Sequence, residues 1–166
     1  MKLVEEMRYK SVVIPIINGK YVSVRDAKHR EVTFVTGGCK LLEISNLKLC
    51  ALRELREETY GALGTLRKED LVHAGVFKTR NRSESELRKD ELNGVVVTMV
   101  YHVYFTYVDK PWDGPNGVKR TFERNSKKVP KKEKETDEIY LLSKENYESR
   151  KNMWWFMKAN VLPFLN

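Results

Sequence analysis

The segment Gly37–Gly61, GGCKLLEISNLKLCALRELREETYG, constrains this chain more than any other stretch of it. Leu47–Thr59 is dense in Leu, Ala, Glu and Arg, which are good helix formers, and Gly61 and Gly64 stand just beyond it, where a helix stop and turn are expected. On a helix, Glu54, Glu57 and Glu58 are related as i, i+3 and i+4 and fall within an arc of about 100°. Leu52 and Leu55 lie to one side of that strip, with Ala51 and Leu47 between. The helix therefore buries one flank and holds its carboxylates at the edge, over a cleft. A like-charged i,i+4 pair such as Glu54 and Glu58 costs an isolated helix about 0.2–0.5 kcal/mol. Two readings compete for it: Arg53 and Arg56 screen a solvated face, or a hard divalent cation neutralises the cluster. Mg²⁺ and Mn²⁺ prefer carboxylate and water oxygens, and Mg²⁺ is usually held by a few carboxylates together with substrate phosphates.

Around this helix the pattern is rich in strands. Ser11–Ile17 and Tyr21–Arg25 flank Asn18-Gly19, the strongest short-range hairpin signal, and Val32–Thr36 is a further short strand running into Gly37-Gly38. Leu71–Thr79 and Val95–Val108 are β-branched and aromatic and read as a long hairpin with an elaborate, highly charged connection, Arg80–Asn93. Glu138–Leu142 is a short strand, and Asn146–Val161 reads as one closing amphipathic helix stopped by Pro163. This order lacks the regular βαβα alternation of a doubly wound fold and predicts a mixed sheet with helices on its faces. At 166 residues the chain has length for one domain and one sizeable core.

The net charge of +8 is concentrated: Val118–Lys134 carries eight basic and two acidic residues and reads as a polar loop. It is either a solvated loop or a phosphate-attracting arm built from Lys119, Arg120, Arg124, Lys127, Lys128, Lys131 and Lys132, with Phe122 as a single aromatic for stacking. Cys39 and Cys50 lie eleven apart without a CxxC pattern, and two reduced thiols are expected. An N-terminus with acidic residues where a secretory signal would be apolar points to an intracellular, cytoplasmic protein. The longest apolar runs fall short of the roughly 20 residues of a membrane-spanning helix, so no membrane partner is expected. His29, His73 and His102 are isolated in sequence and receive no role. Trp154, Trp155 and Phe156 read as core packing, with one of the two tryptophans left to cap a cleft.

Gly37-Gly38 followed by Arg53-Glu54-Leu55-Arg56-Glu57-Glu58 resembles the signature of the Nudix hydrolases, G-x5-E-x7-R-E-U-x-E-E-x-G-U with U aliphatic. The REUxEE core matches at every fixed position. Two departures stand out: one extra residue separates Gly38 from Arg53, which puts Ser45 where the early glutamate belongs with Glu43 nearby, and Gly61 comes one place late. The resemblance implies a single-domain α/β fold, a Nudix-like α/β/α sandwich with a mixed sheet over residues 1–166, and a metal-dependent diphosphatase using Mg²⁺ or Mn²⁺. Carried over by position, Glu54 and Glu58 are direct metal ligands, Glu57 a ligand directly or through water, and the Gly37 carbonyl a further one. Arg53 orients a glutamate, and the general base is Glu54, Glu135 or Glu138. The implied substrate is a nucleoside-diphosphate-linked compound, with capped RNA, and hence mRNA decapping, suggested by the basic arm. The alternatives are a small-nucleotide or diphosphoinositol pyrophosphohydrolase, or a catalytically silent module that binds RNA or a nucleotide.

Overall fold

A computed structural model describes residues 2–109 and 114–166. Strands β1 (Val4–Ile17) and β2 (Lys20–Asp26) form the expected hairpin, and Asn18 and Gly19 both take positive φ, 50° and 74°, as its tight turn requires. β3 (Val32–Thr33) and β4 (Val35–Gly38) follow, broken at the fully buried Phe34, then helix α1 (Leu47–Thr59). After β5 (Leu71–Thr79), α2 (Glu84–Leu92) and β6 (Val95–Tyr107) come α3 (Gly114–Ser126), β7 (Thr136–Leu142), α4 (Lys144–Ser149) and α5 (Trp155–Asn160).

The seven strands form one mixed sheet in the order β3-β2-β1-β6-β5, with β4 also pairing β1 and β7 also pairing β2. β1 and β6 run parallel, and β5 returns antiparallel on β6 as the expected long hairpin. Strict alternation along β1 sends Val12 and Ile14 into one core, under α5, and Val13 and Ile17 into the other, under α1 and α3. Burial on both faces explains why Ser11–Ile17 is almost continuously apolar.

Four expectations are corrected. The connection Arg80–Asn93 contains α2, whose start was legible as a capping box: the Ser83 hydroxyl accepts from the Glu86 amide at 3.2 Å and the Glu86 carboxylate from the Ser83 amide at 3.1 Å. The basic segment is not a loop throughout. Val118 and Phe122 are one helical turn apart and buried, so 118–126 is the second half of α3, and Phe122 packs edge-on against Tyr60 at 5.1 Å instead of facing a base. The closing helix is two short helices separated by a strap that turns at Lys151-Asn152, in which the Val32 amide donates to the Asn152 carbonyl and the Trp154 amide to the Val32 carbonyl, each at 2.8 Å. Cys39 and Cys50 form a disulfide, with Cα atoms 5.3 Å apart, because the Gly37-Gly38 end of β4 lies against α1.

Candidate metal centre

Arg53 organises the site. Its guanidinium donates twice to Glu43, at 2.8 and 2.9 Å, and also to Glu54 at 2.9 Å, to Glu57 at 3.2 Å and to the Gly38 carbonyl at 2.9 Å. This bidentate grip, the geometry at which Arg excels, holds the Glu43 carboxyl down to about 2 and raises Arg53 above its ordinary value. Glu43 therefore meets the helix from the preceding turn and fastens the arginine, while Ser45 is exposed.

Glu54 and Glu58 are both buried, deeper than a helix edge over a cleft implies. Gly37 lies so close to Glu54 that a Cβ there would overlap its carboxylate, so the glycine is needed for the approach of β4 to α1. The end of α1 is tied to β7: the Tyr60 hydroxyl donates to the Thr136 carbonyl and the Thr136 hydroxyl to the Glu58 carbonyl, each at 2.6 Å, while the Asn125 amide donates to the Tyr60 carbonyl at 2.8 Å. Tyr60 adopts the left-handed cap conformation, φ 52°, which sets its ring in that position. These ties bring Glu135, next to Thr136, to the helix.

One carboxylate oxygen from each of Glu54, Glu58 and Glu135 lies within 4.8 Å of the others. Oε2 of Glu58 is buried with no hydrogen-bond partner among the described residues. Burial, first, then the hydrogen bond and charge of Glu54 and the charge of Glu135 push the Glu58 carboxyl far above its ordinary range. Glu135 is raised too, by partial burial and by Glu54 and Glu57. Three converging carboxylates with one orphaned oxygen fit a hard divalent cation, which would satisfy the oxygen and remove the repulsion.

Glu57 is exposed beside Arg53 and stands apart from that trio. Glu138 is turned elsewhere, accepting from the Tyr140 hydroxyl at 2.7 Å and pairing with Arg25 at 3.3 Å. A cavity of about 810 Å³ opens beside Glu58 and Glu135, lined also by Lys131, Lys132, Lys134, Lys28 and Trp154. Lys119, Arg120, Arg124, Lys127 and Lys128 stand exposed on α3 and the turn after it, outside the described lining. Lys28 and Lys134 escaped the sequence reading, although Lys134 lies in the basic run. Of the histidines, His29 also lines this cavity, and His73 and His102 are not isolated but 3.1 Å apart on neighbouring strands. Trp154 faces the cavity with its ring against Phe156, while Trp155 is exposed.

The chain has the Nudix fold. Solved structures that share it include the MutT protein of Methanosarcina mazei Go1, with a TM-score of 0.61 at 13% identity over 98% of this chain and 96% of that one. The dihydroneopterin triphosphate pyrophosphohydrolase of E. coli gives 0.58 at 14% identity over 95% and 94%. The NUDIX domain of Shewanella oneidensis NrtR, solved with ADP ribose, gives 0.55 at 9% identity over 99% and 86%. No protein-family model matches the sequence, and no curated protein matches it significantly.

Proposed function

We propose that this protein is a divalent-cation-dependent pyrophosphohydrolase of nucleoside-diphosphate-linked substrates. The observation that carries the reading is the convergence of buried Glu54 and Glu58 with exposed Glu135, leaving one buried oxygen of Glu58 unpartnered, at the edge of a lysine-rimmed cavity. The trio would hold Mg²⁺ or Mn²⁺, with the Gly37 carbonyl as a further donor and Glu57, which stands apart, reaching the ion only through water. When bound, such a cation supplies positive charge to the phosphate oxygens of the scissile linkage. Arg53 fixes the carboxylate of Glu54 and, through Glu43 and the Gly38 carbonyl, holds β4 against α1. Lys131, Lys132 and Lys134 neutralise the substrate's remaining phosphate charge. Glu135, exposed to solvent at the cavity edge beside Glu54 and Glu58, accepts the proton of the attacking water.

Within this class the finer reading is the cap of an RNA, that is, mRNA decapping. The cations on α3 and the turn after it precede the cavity lysines in one continuous run of chain, a track suited to a polyanion longer than a free nucleotide. Product release from capped RNA, dinucleoside polyphosphates, ADP-ribose and diphosphoinositols in Mg²⁺ or Mn²⁺ tests both levels. Turnover is expected, with Glu58→Gln lowering kcat/KM at least about 100-fold. No turnover on any of these would sink the hydrolase reading. For the RNA reading, Lys127→Ala with Lys128→Ala should reduce the slope of log binding against log salt by about 1.4. Turnover of free nucleotides without salt-sensitive RNA binding would overturn that reading alone.

A further inference from the structure

At Trp154 the cavity has a chemistry unlike that of its metal end. Trp154 ends the strap that bridges to β3, and Val32 pairs with Met153 in that parallel bridge. Side chains alternate across such a bridge, so Glu31 and Thr33 on one chain share a side with Trp154 on the other, and all three line the cavity. The indole is half-buried and backed by Phe156 at 4.9 Å between ring centroids, which fixes its plane. Glu31 is half-buried, and its carboxylate has no hydrogen bond or ion pair among the described residues. Asp26, its acidic neighbour in the lining, is already used: its carboxylate accepts from the Lys28 and His29 amides at 2.8 and 2.7 Å.

From this juxtaposition we propose that Trp154 and Glu31 form a base-recognition subsite for a guanine nucleobase, at the opposite end of the substrate from the scissile phosphates. The proposal rests on reading the cavity as a nucleotide site. A heterocycle stacks on the indole, an interaction worth about 1–3 kcal/mol per base. An ionised carboxylate is an acceptor only, so it selects the base whose edge offers two adjacent donors. Guanine does so through its ring N1–H and its exocyclic amino group. Adenine offers one donor beside an acceptor, and uracil one donor between two acceptors. N7-methylated guanine shows the same two donors and adds a positive charge, which favours both the indole face and the carboxylate.

The test is equilibrium binding to the full-length protein, read by isothermal titration calorimetry, with GDP, N7-methyl-GDP, ADP and UDP as probes. We expect GDP or its N7-methyl form to bind at least tenfold tighter than ADP or UDP. Glu31→Gln, a change at the cavity wall, should erase that preference while leaving ADP affinity within twofold. Trp154→Phe should keep binding and Trp154→Ala should weaken every probe at least tenfold. Tighter binding of the methylated form assigns the subsite to a cap, and equal binding of the two forms to an ordinary guanine nucleotide. Equal affinity for GDP and ADP, or a preference untouched by Glu31→Gln, would overturn the proposal. Hydrolysis of guanine- and adenine-linked anhydrides with equal kcat/KM would also overturn it and leave the hydrolase reading standing. Guanine-selective binding without turnover of any substrate would do the reverse.

Discussion

At the scale of residues, Glu58 is a buried carboxylate with one oxygen left without a hydrogen-bond partner among the described residues. Its carboxyl is raised above the 4.5 of an ordinary glutamate, so between that value and the raised one the folded state binds more protons than the unfolded state. Stability of the metal-free protein must then fall as pH rises above about 4.5. The melting temperature, followed by circular dichroism from pH 5 to 9 in chelator, should decline, and Glu58→Gln should flatten the decline. At pH 8, saturating Mn²⁺ should raise the melting temperature of the wild type and leave that of Glu58→Gln nearly unchanged. Glu43 acts in the opposite window: held down to about 2 by Arg53, it contributes stability above its ordinary 4.5 that is lost as pH falls toward 2. Gly37→Ala places a methyl group where the Glu54 carboxylate lies. A loss of about 1–3 kcal/mol in urea denaturation is expected, with metal affinity at least tenfold weaker by calorimetric titration. Periodicity made Glu54 and Glu58 legible, because their partner positions lie within the same helix. The convergence of Glu135 was not, since it joins them through Tyr60 and Thr136, a tie that no local pattern announces.

At the scale of elements, the bounds of α1 were legible because propensity, periodicity and the terminal glycines agree. The closing segment was misread because Met153, Phe156 and Met157 keep helical spacing and are buried together, while Met153 lies in the strap, which takes its backbone hydrogen bonds from β3. The disulfide between Cys39 and Cys50 joins the two elements that carry Gly37 and Glu54. Spacing could not reveal it, since eleven residues along the chain become neighbours only once β4 turns back on the helix. Reduction with dithiothreitol should lower unfolding free energy by about 2–3 kcal/mol for a loop of this length, measured by urea titration with and without reductant. A Cys39→Ser, Cys50→Ser variant should show the lower value in both conditions.

At the scale of the whole molecule, the concentration of positive charge divides into two parts with different positions. Lys131, Lys132 and Lys134 face the cavity, and the remaining cations stand on α3 and the turn after it. Replacing the three cavity lysines with alanine should raise KM for a nucleotide-linked substrate at least tenfold, with less than a threefold change in kcat and no loss of thermal stability. Among the described residues, no helix is long and apolar enough to cross a membrane.

The central pairing of the sheet carries a consequence for biosynthesis. β1 runs beside β6 in parallel register from Val4 opposite Val95 to Ile16 opposite Tyr107, so most of its hydrogen-bonding partners lie some ninety residues later in the chain. A ribosome adding roughly 5–20 residues per second leaves Val12–Ile17 without that neighbour for several seconds or more. Throughout that interval this continuously apolar half of β1 keeps one edge open as a template for another nascent chain. Hold-up of translation between β5 and β6 should therefore favour aggregation, whereas a pause after β6 has emerged should not.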